Sequence, residues 1–244
     1  MSPFKPIKPY RVSGGVAEQL KEAIILGQYK PGDKLPGERD LAAQFSVSRL
    51  SIREACRKLE NSGFVRIRQG IGGGTFVTEL DFDHLLGTFL DLFMSDKISI
   101  PALHQVRVLV ETEVARLAAL HITPTYAKRL QEALDAEELP MRSHADHINR
   151  KSTMHYILAE MCGNPLLEVL VKFIMTSTAR VLEALQPDAE LMHPVGTHQP
   201  IVEAVLSGNP RAAAAAMKTH GLTFGKKLVE MERGFRVTQV ARAE

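Results

Sequence analysis

The sequence predicts a mainly α protein: an N-terminal winged helix-turn-helix followed by an all-helical antiparallel bundle of six or seven helices. Three observations predict it. Residues 31–78 arrange two short helical patterns around a tight Val47-Ser48 turn, with a two-stranded ribbon behind them whose tip is mostly glycine. From Asp81 onward only helical periodicity is visible, with no alternation of strand period. Thr123-Pro124, Asn164-Pro165 and Asn209-Pro210 each set an N-capping side chain before a proline at the first helical position.

The elements follow in order. A first helix is expected from about Ser13 to Leu26, with Val16, Leu20 and Ile24 as its apolar stripe and Gly27 as its left-handed stop. A second opens near Pro36-Gly37-Glu38 and buries Leu41, Ala42 and Phe45. A third is capped by Ser48, turns Ile52, Ala55, Cys56 and Leu59 inward, and ends at Gly63. Phe64–Arg68 alternates apolar and basic residues, as a half-buried strand does, and Thr75–Thr78 is its return strand.

Arg49, Ser51, Arg53 and Arg57 stand on the outer face of the third helix. The first turn of a recognition helix reaches base edges, and the planar arginine fork can hold guanine O6 and N7 together, so Arg49 and Arg53 are the expected base readers. Ser48 and Ser51, with the first-turn N–H groups, suit phosphate oxygens. The tip Gly70-Ile71-Gly72-Gly73-Gly74 lets backbone approach a phosphate without a Cβ in the way. It is not a nucleotide-binding loop, because Gly-Lys-Ser/Thr is absent and a strand follows where that loop needs a helix.

Charge divides along the same line. Residues 1–80 hold 13 Lys/Arg against 8 Asp/Glu, a net of +5, while residues 81–244 hold 17 against 20, a net of −3, with all nine histidines. A basic first domain suits a polyanion, and a histidine-bearing second domain suits another task. No apolar run approaches the roughly 18 residues of a membrane span, no secretory signal is visible, and Cys56 and Cys162 lack partner spacing, so a cytoplasmic protein with reduced thiols is expected. The expected domains are 1–78 for DNA binding, 79–81 as hinge, 82–235 for the helical bundle and 236–244 as a tail.

In the bundle, Phe82, Leu85, Leu86, Phe89, Leu90 and Phe93 form one amphipathic helix. Another spans about Pro101–His121 with Leu103, Val106, Val110, Val114 and Leu117 inward. Helices starting at Pro124, Pro165 and Pro210, with His144–Cys162 and Thr197–Leu206, complete it.

Pro31-Gly32-Asp33-Lys34-Leu35-Pro36, Glu38-Arg39-Asp40-Leu41-Ala42, Val47-Ser48-Arg49 and Ile52-Arg53-Glu54-Ala55 resemble the GntR family of bacterial transcriptional regulators over about residues 10–78. The resemblance implies operator contacts from Arg39, Arg49 and Arg53. It implies backbone or minor-groove contacts from Ser48, Ser51 and the wing glycines Gly70, Gly72 and Gly73, and palindromic double-stranded DNA bound by a homodimer. The helical second domain is similar to the FadR branch with its FCD bundle, carried here by Arg107 with Glu111, by His155 followed by Gly163-Asn164-Pro165, and by His198 and His220. It implies a repressor relieved by a small carboxylate, with a divalent ion such as zinc or nickel on His155, His198 and His220. The family's aspartate ligand, four residues before the first histidine, is Lys151 here, and Asp146 lies nine residues before His155 on the other side of a helix. Three arrangements stay open: a metal on three histidines, a metal-free pocket where Lys151 meets an effector carboxylate or phosphate, or neither. Arg107 either grips an effector or forms a surface pair with Glu111. His84, His104, His121, His144, His147 and His193 are expected to do ordinary surface or core duty. A hydrolase using the three histidines is the alternative from another class; HExxH and the nucleophile elbow are both missing.

Overall fold

The computed structural model describes residues 10–79 and 83–243, and the side chains of 12–79 and 85–238. Residues 80–82, with Phe82 and most of the expected hinge, lie outside the described residues, as does the side chain of His84. The chain forms two compact units that divide between His84 and Leu85.

In the first unit, helices α1 (Tyr10–Ile25), α2 (Glu38–Phe45) and α3 (Arg49–Asn61) precede β1 (Val65–Arg68) and β2 (Gly74–Val77). The strands pair antiparallel with Val65 opposite Val77 and Arg68 opposite Gly74. Gly27 and Gly63 both take positive φ, 73° and 76°, which an L side chain resists, so each stops its helix. Ser48 caps α3 by accepting from Ser51 N–H at 3.1 Å. Ile52, Ala55, Cys56 and Leu59 meet Val16, Leu20 and Leu41 in one core, so the expected inner face of α3 is the buried one.

The second unit is a helical bundle: α4 (Asp83–Met94), α5 (Ile100–Leu120), α6 (Pro124–Glu137), α7 (His144–Met161), α8 (Pro165–Leu185), the single turn α9 (Ala189–Met192), α10 (Gln199–Leu206), α11 (Pro210–Glu230) and α12 (Glu232–Ala243). Thr123, Asn164 and Asn209 each accept from backbone N–H groups in the first turn of the helix they cap. The seven expected helices are present, and α9 and α12 are additional. Residues 236–243, expected as part of a tail, continue α12, because its first turns are held down. Phe235 is fully buried against Phe93 at 5.6 Å, and Arg236 donates to the carbonyls of Phe93 and Ile98 at 2.7 and 2.8 Å.

On α5 the expected inward stripe needs correction. Leu103 and Val114 are buried, but Val106 is 40% exposed while Arg107 and Glu111 are each 2% exposed. The helix is rolled so that this ion pair faces the core. Apolar periodicity assigns charged residues outward by default and so misplaces such a pair. Helices α5 and α11 run together along most of their length. Gly221 and Gly225 allow it: a Cβ on Gly225 would fall 1.8 Å from a ring atom of His104.

Candidate functional site

In the first unit the outer face of α3 carries Arg49 and Arg53 with side chains 65% and 49% exposed. Arg39, on α2, is 89% exposed. The serines Ser48 and Ser51 lie 2.9 Å apart, hydroxyl to hydroxyl, at the start of α3. Gly70 and Gly72 hold φ of 89° and 80°, and a Cβ at Gly73 would sit 2.4 Å from the Arg68 carbonyl oxygen, so side chains are excluded from this tip on conformational and steric grounds. Sequence reasoning missed Glu38. Its carboxylate accepts both arms of Arg53, at 2.9 and 2.7 Å, and lies 3.7 Å from Arg49. Hydrogen bonding from Arg53 holds the Glu38 carboxyl below its ordinary range. The Arg53 fork is thus held by an acid from the preceding helix, while Arg49 makes only the longer contact with it.

In the second unit five elements converge. Helix α5 supplies Arg107 and Glu111, α7 supplies Lys151 and His155, and α11 supplies His220. His198 stands at the N-cap of α10 and Glu137 at the last residue of α6. The imidazoles of His155, His198 and His220 each offer a nitrogen within 4.8 Å of the others, and all three residues are buried. Ring centroids are 5.0 Å apart for His155–His198 and 4.7 Å for His198–His220.

Two acids back the histidines. Glu137 Oε1 lies 2.6 Å from His198 Nδ1 and its Oε2 accepts from Lys151 Nζ at 2.8 Å. Arg107 Nε donates to Glu111 Oε2 at 2.6 Å, and Glu111 Oε1 lies 2.5 Å from His155 Nδ1. Burial pushes the carboxyl of Glu111 up, yet Arg107 and the histidines outweigh it and hold the group well below its usual range. Glu137 likewise ends low, its burial overcome by His198 and Lys151. Burial drives His193 and His220 well below the ordinary imidazole value, and His198 to about 4 despite the pull of Glu137. These three rings therefore sit neutral near pH 7, the form that carries a free lone pair.

Buried nitrogens are left without partners on the inner side: Nε2 of His155 and His198, both ring nitrogens of His220, and Nη1 of Arg107. Buried polar atoms are normally paired, so a convergent set of orphans marks a place for something the chain itself does not supply. Beside it opens a pocket of about 500 Å³, its solvent mouth included, lined among others by Arg107, Lys151, His155, His193 and Phe224. Three imidazoles with open positions fit a divalent ion of the zinc or nickel kind.

Several expectations meet their outcome here. The ion pair of Arg107 and Glu111 exists but is buried, and the guanidinium lies over the Phe224 ring at 4.5 Å with one nitrogen still free. Lys151 is only 4% exposed and its ammonium is turned onto Glu137, so it is not an unpaired cation awaiting an anion. Asp146 is engaged with Arg150 and with the N–H of Arg142. His193, expected to be ordinary, packs its ring 4.4 Å from that of His198 and lines the pocket, as do His144 and His147. Glu137 carried no signal: it is one acid among several near the end of a helix, 14 residues from the lysine it meets.

The chain matches the bacterial regulatory proteins of the gntR family over residues 13–77 and the FCD domain over residues 102–223. It is 31% identical over 222 residues to the HTH-type transcriptional repressor NanR of Cronobacter sakazakii, covering 88% of this chain and 85% of that protein. The NanR of Escherichia coli K12 is 28% identical over 224 residues, covering 88% and 84%. Among solved structures, Streptococcus agalactiae GntR superposes with a TM-score of 0.65 at 27% identity, covering 88% of this chain and 99% of that one. These relatives are transcription regulators, and a hydrolase finds no support among them. No described helix is long and apolar enough to cross a membrane. With its winged helix and its effector-type helical bundle, the chain belongs to the gntR family of bacterial regulatory proteins as a DNA-binding transcriptional regulator carrying an FCD domain.

Proposed function

We propose that the chain is a homodimeric, cytoplasmic repressor of the FadR branch, released from a palindromic operator by a small organic acid bound beside the three histidines. The observation that carries the effector half is the set of buried, unpartnered nitrogens on His155, His198, His220 and Arg107, with a pocket lined by Arg107 and His155 beside them. A divalent ion on the three imidazoles would keep its full charge, since Glu111 and Glu137 are already matched by Arg107 and Lys151. Such a centre attracts an anion, and the free Nη1 of Arg107 offers a second point of attachment for a carboxylate. When bound, the ion supplies Lewis acidity and fixed positive charge; the chain supplies orientation and a dry wall from Met175, Leu182 and Phe224. The matched relatives are named repressors, which supports the same sign of regulation here.

For the DNA half, Arg49 and Arg53 read base edges in the major groove, with Arg39 as a further operator contact. Ser48 and Ser51 bind phosphate, and Gly70, Gly72 and Gly73 bring wing backbone to the duplex. Gel shifts on the DNA upstream of the chain's own gene test this. Arg49→Ala and Arg53→Ala should each weaken operator binding by about 5- to 150-fold, as expected for a lost bidentate base contact of about 1–3 kcal/mol. Unchanged binding in both variants overturns the recognition-helix assignment. Metal analysis of untagged protein, with and without His198→Ala, and a thermal-shift screen of small organic acids test the effector site, because a ligand specific to the folded state raises its stability.

A further inference from the structure

Resting on the metal-binding reading above, we propose that Lys151 and Glu137 form a charge-compensated positioning pair for His198. The pair takes the place of an inner acid that α7 does not provide four residues before His155. The pair is wholly internal: Glu137 is 7% exposed, Lys151 4% and His198 0%. One carboxylate oxygen takes the ammonium at 2.8 Å and the other takes the imidazole at 2.6 Å, so both ends of the carboxylate are engaged. An ionised carboxylate can only accept, so the proton of this contact lies on His198 Nδ1. The Nε2 lone pair is thereby left unprotonated, and Nε2 is the atom without a partner in the protein. A buried histidine whose one nitrogen donates to a carboxylate while the other points into a ligand set is the arrangement by which outer groups fix the tautomer and basicity of metal-binding imidazoles.

Lys151 explains why this arrangement survives burial. A carboxylate sharing a dry site only with a neutral ring would be strongly disfavoured, and the ammonium from the next helix removes that penalty. The ammonium in turn is kept from facing a bound cation. His198, although it occupies the N-cap of α10, makes no side-chain capping bond, because its ring is directed to Glu137 instead. The same order of cation, carboxylate and imidazole recurs at Arg107, Glu111 and His155, with contacts of 2.6 and 2.5 Å. Two of the three histidines are thus backed by a neutralised acid, and the negative charge lies one layer outside the ligand set. Lys151 acts on the centre through Glu137 and His198, and an effector does not need it.

The test compares Zn²⁺ affinity, by competition with a chromophoric chelator, in the full-length wild type, Glu137→Gln, Lys151→Met and the double variant Glu137→Leu/Lys151→Met. Single variants leave a buried charge uncompensated and can fold poorly. The double variant replaces both charges with apolar groups of similar volume, a change that is often neutral for stability, and leaves all three histidines in place. We expect its Zn²⁺ affinity to fall 10- to 100-fold, the usual effect of losing an outer-layer partner. Wild-type affinity in the folded double variant overturns the proposal. The second readout needs no metal: ¹⁵N shifts of labelled histidine, with His198 assigned by its loss in His198→Gln. His198 should be the Nδ1–H tautomer in the wild type and a mixture in the double variant. If the wild type binds no Zn²⁺, the three-histidine metal reading fails, and the tautomer decides the pairing by itself. An unchanged His198 tautomer in the double variant then refutes it.

Discussion

Gly225→Ala tests whether the closeness of α5 and α11 holds the effector-side unit together. A Cβ built on Gly225 meets the His104 ring at 1.8, 2.0 and 2.4 Å, all three inside any tolerable contact. A shift of a few tenths of an ångström is not enough, so the half-buried ring must swing away from its place, the more so as its Nδ1 is buried without a partner. Overpacking of this kind costs about 1–3 kcal/mol. Against it stands the gain of about 1 kcal/mol from replacing glycine by alanine inside a helix. The net expectation is a loss of up to about 2 kcal/mol, or up to roughly 8 °C in Tm for a unit of this size. Gly221→Ala is the internal control, because its Cβ would rest 3.3 Å from Val108 Cγ2, the end of a side chain that can shift. There the helix gain and the mild crowding nearly cancel, and Tm should move by about 1 °C or less. Scanning calorimetry on the full chain reads both. In a His104→Ala background the clash is gone, so Gly225→Ala should be neutral or stabilising by up to about 1 kcal/mol. A Gly225→Ala variant that melts higher than wild type refutes the reasoning, as does a loss that persists without His104. The same seam carries Arg107 one turn beyond His104, stacked on Phe224 beside Gly225, so on the proposed metal reading widening it should also weaken Zn²⁺ binding.

Glu38→Gln frees the Arg53 fork and removes a negative charge beside Arg49 and Arg53, the proposed operator contacts. Fluorescence anisotropy at fixed salt should show non-specific DNA bound several-fold tighter and the operator-to-random ratio reduced; a ratio that stays constant would mean Glu38 does not orient the readers. Gly73→Ala drives a Cβ to 2.4 Å from the Arg68 carbonyl and 2.8 Å from that of Gly70, backbone atoms that cannot move aside. The wing should lose about 1–3 kcal/mol, seen as a lower melting transition for the first unit and weaker operator binding; an unaltered transition counts against the tip geometry. For metal-free protein the sign of the pH effect follows from His193, His198 and His220, all shifted down by burial, His198 to about 4. Between the ordinary imidazole value near 6.5 and that lower range the unfolded chain binds more protons than the folded one. Stability is therefore fully present above about pH 6.5 and declines as pH falls towards 4. Urea titrations at pH 7.5, 6 and 5 without metal check it, and a midpoint that rises on acidification contradicts the neutral, buried state of these rings.

Local rules carried most of the fold because they act within a few residues. Asn164 before Pro165 caps α8 through the same carboxamide oxygen that its spacing promises, and Ser48 caps α3 for the same reason. The inner face of α3 was equally legible, since four apolar residues at helical spacing have only one core to meet. Reading failed where one residue's surroundings are decided by another far along the chain. Apolar periodicity sends Arg107 to the surface of α5; the structure buries it, because Glu111, Phe224 and the pocket together satisfy the guanidinium. The sequence left the role of Lys151 open between three arrangements, because its partner was unknown. The identity of that partner depends on where α6 ends relative to α7, which no spacing within either helix reveals. A buried charge has a meaning only as half of a pair, and a pair made across helices is a property of packing. Placed against Glu137, which also meets His198, Lys151 reaches that ring from one layer further out, which is the ground of the positioning role proposed for it.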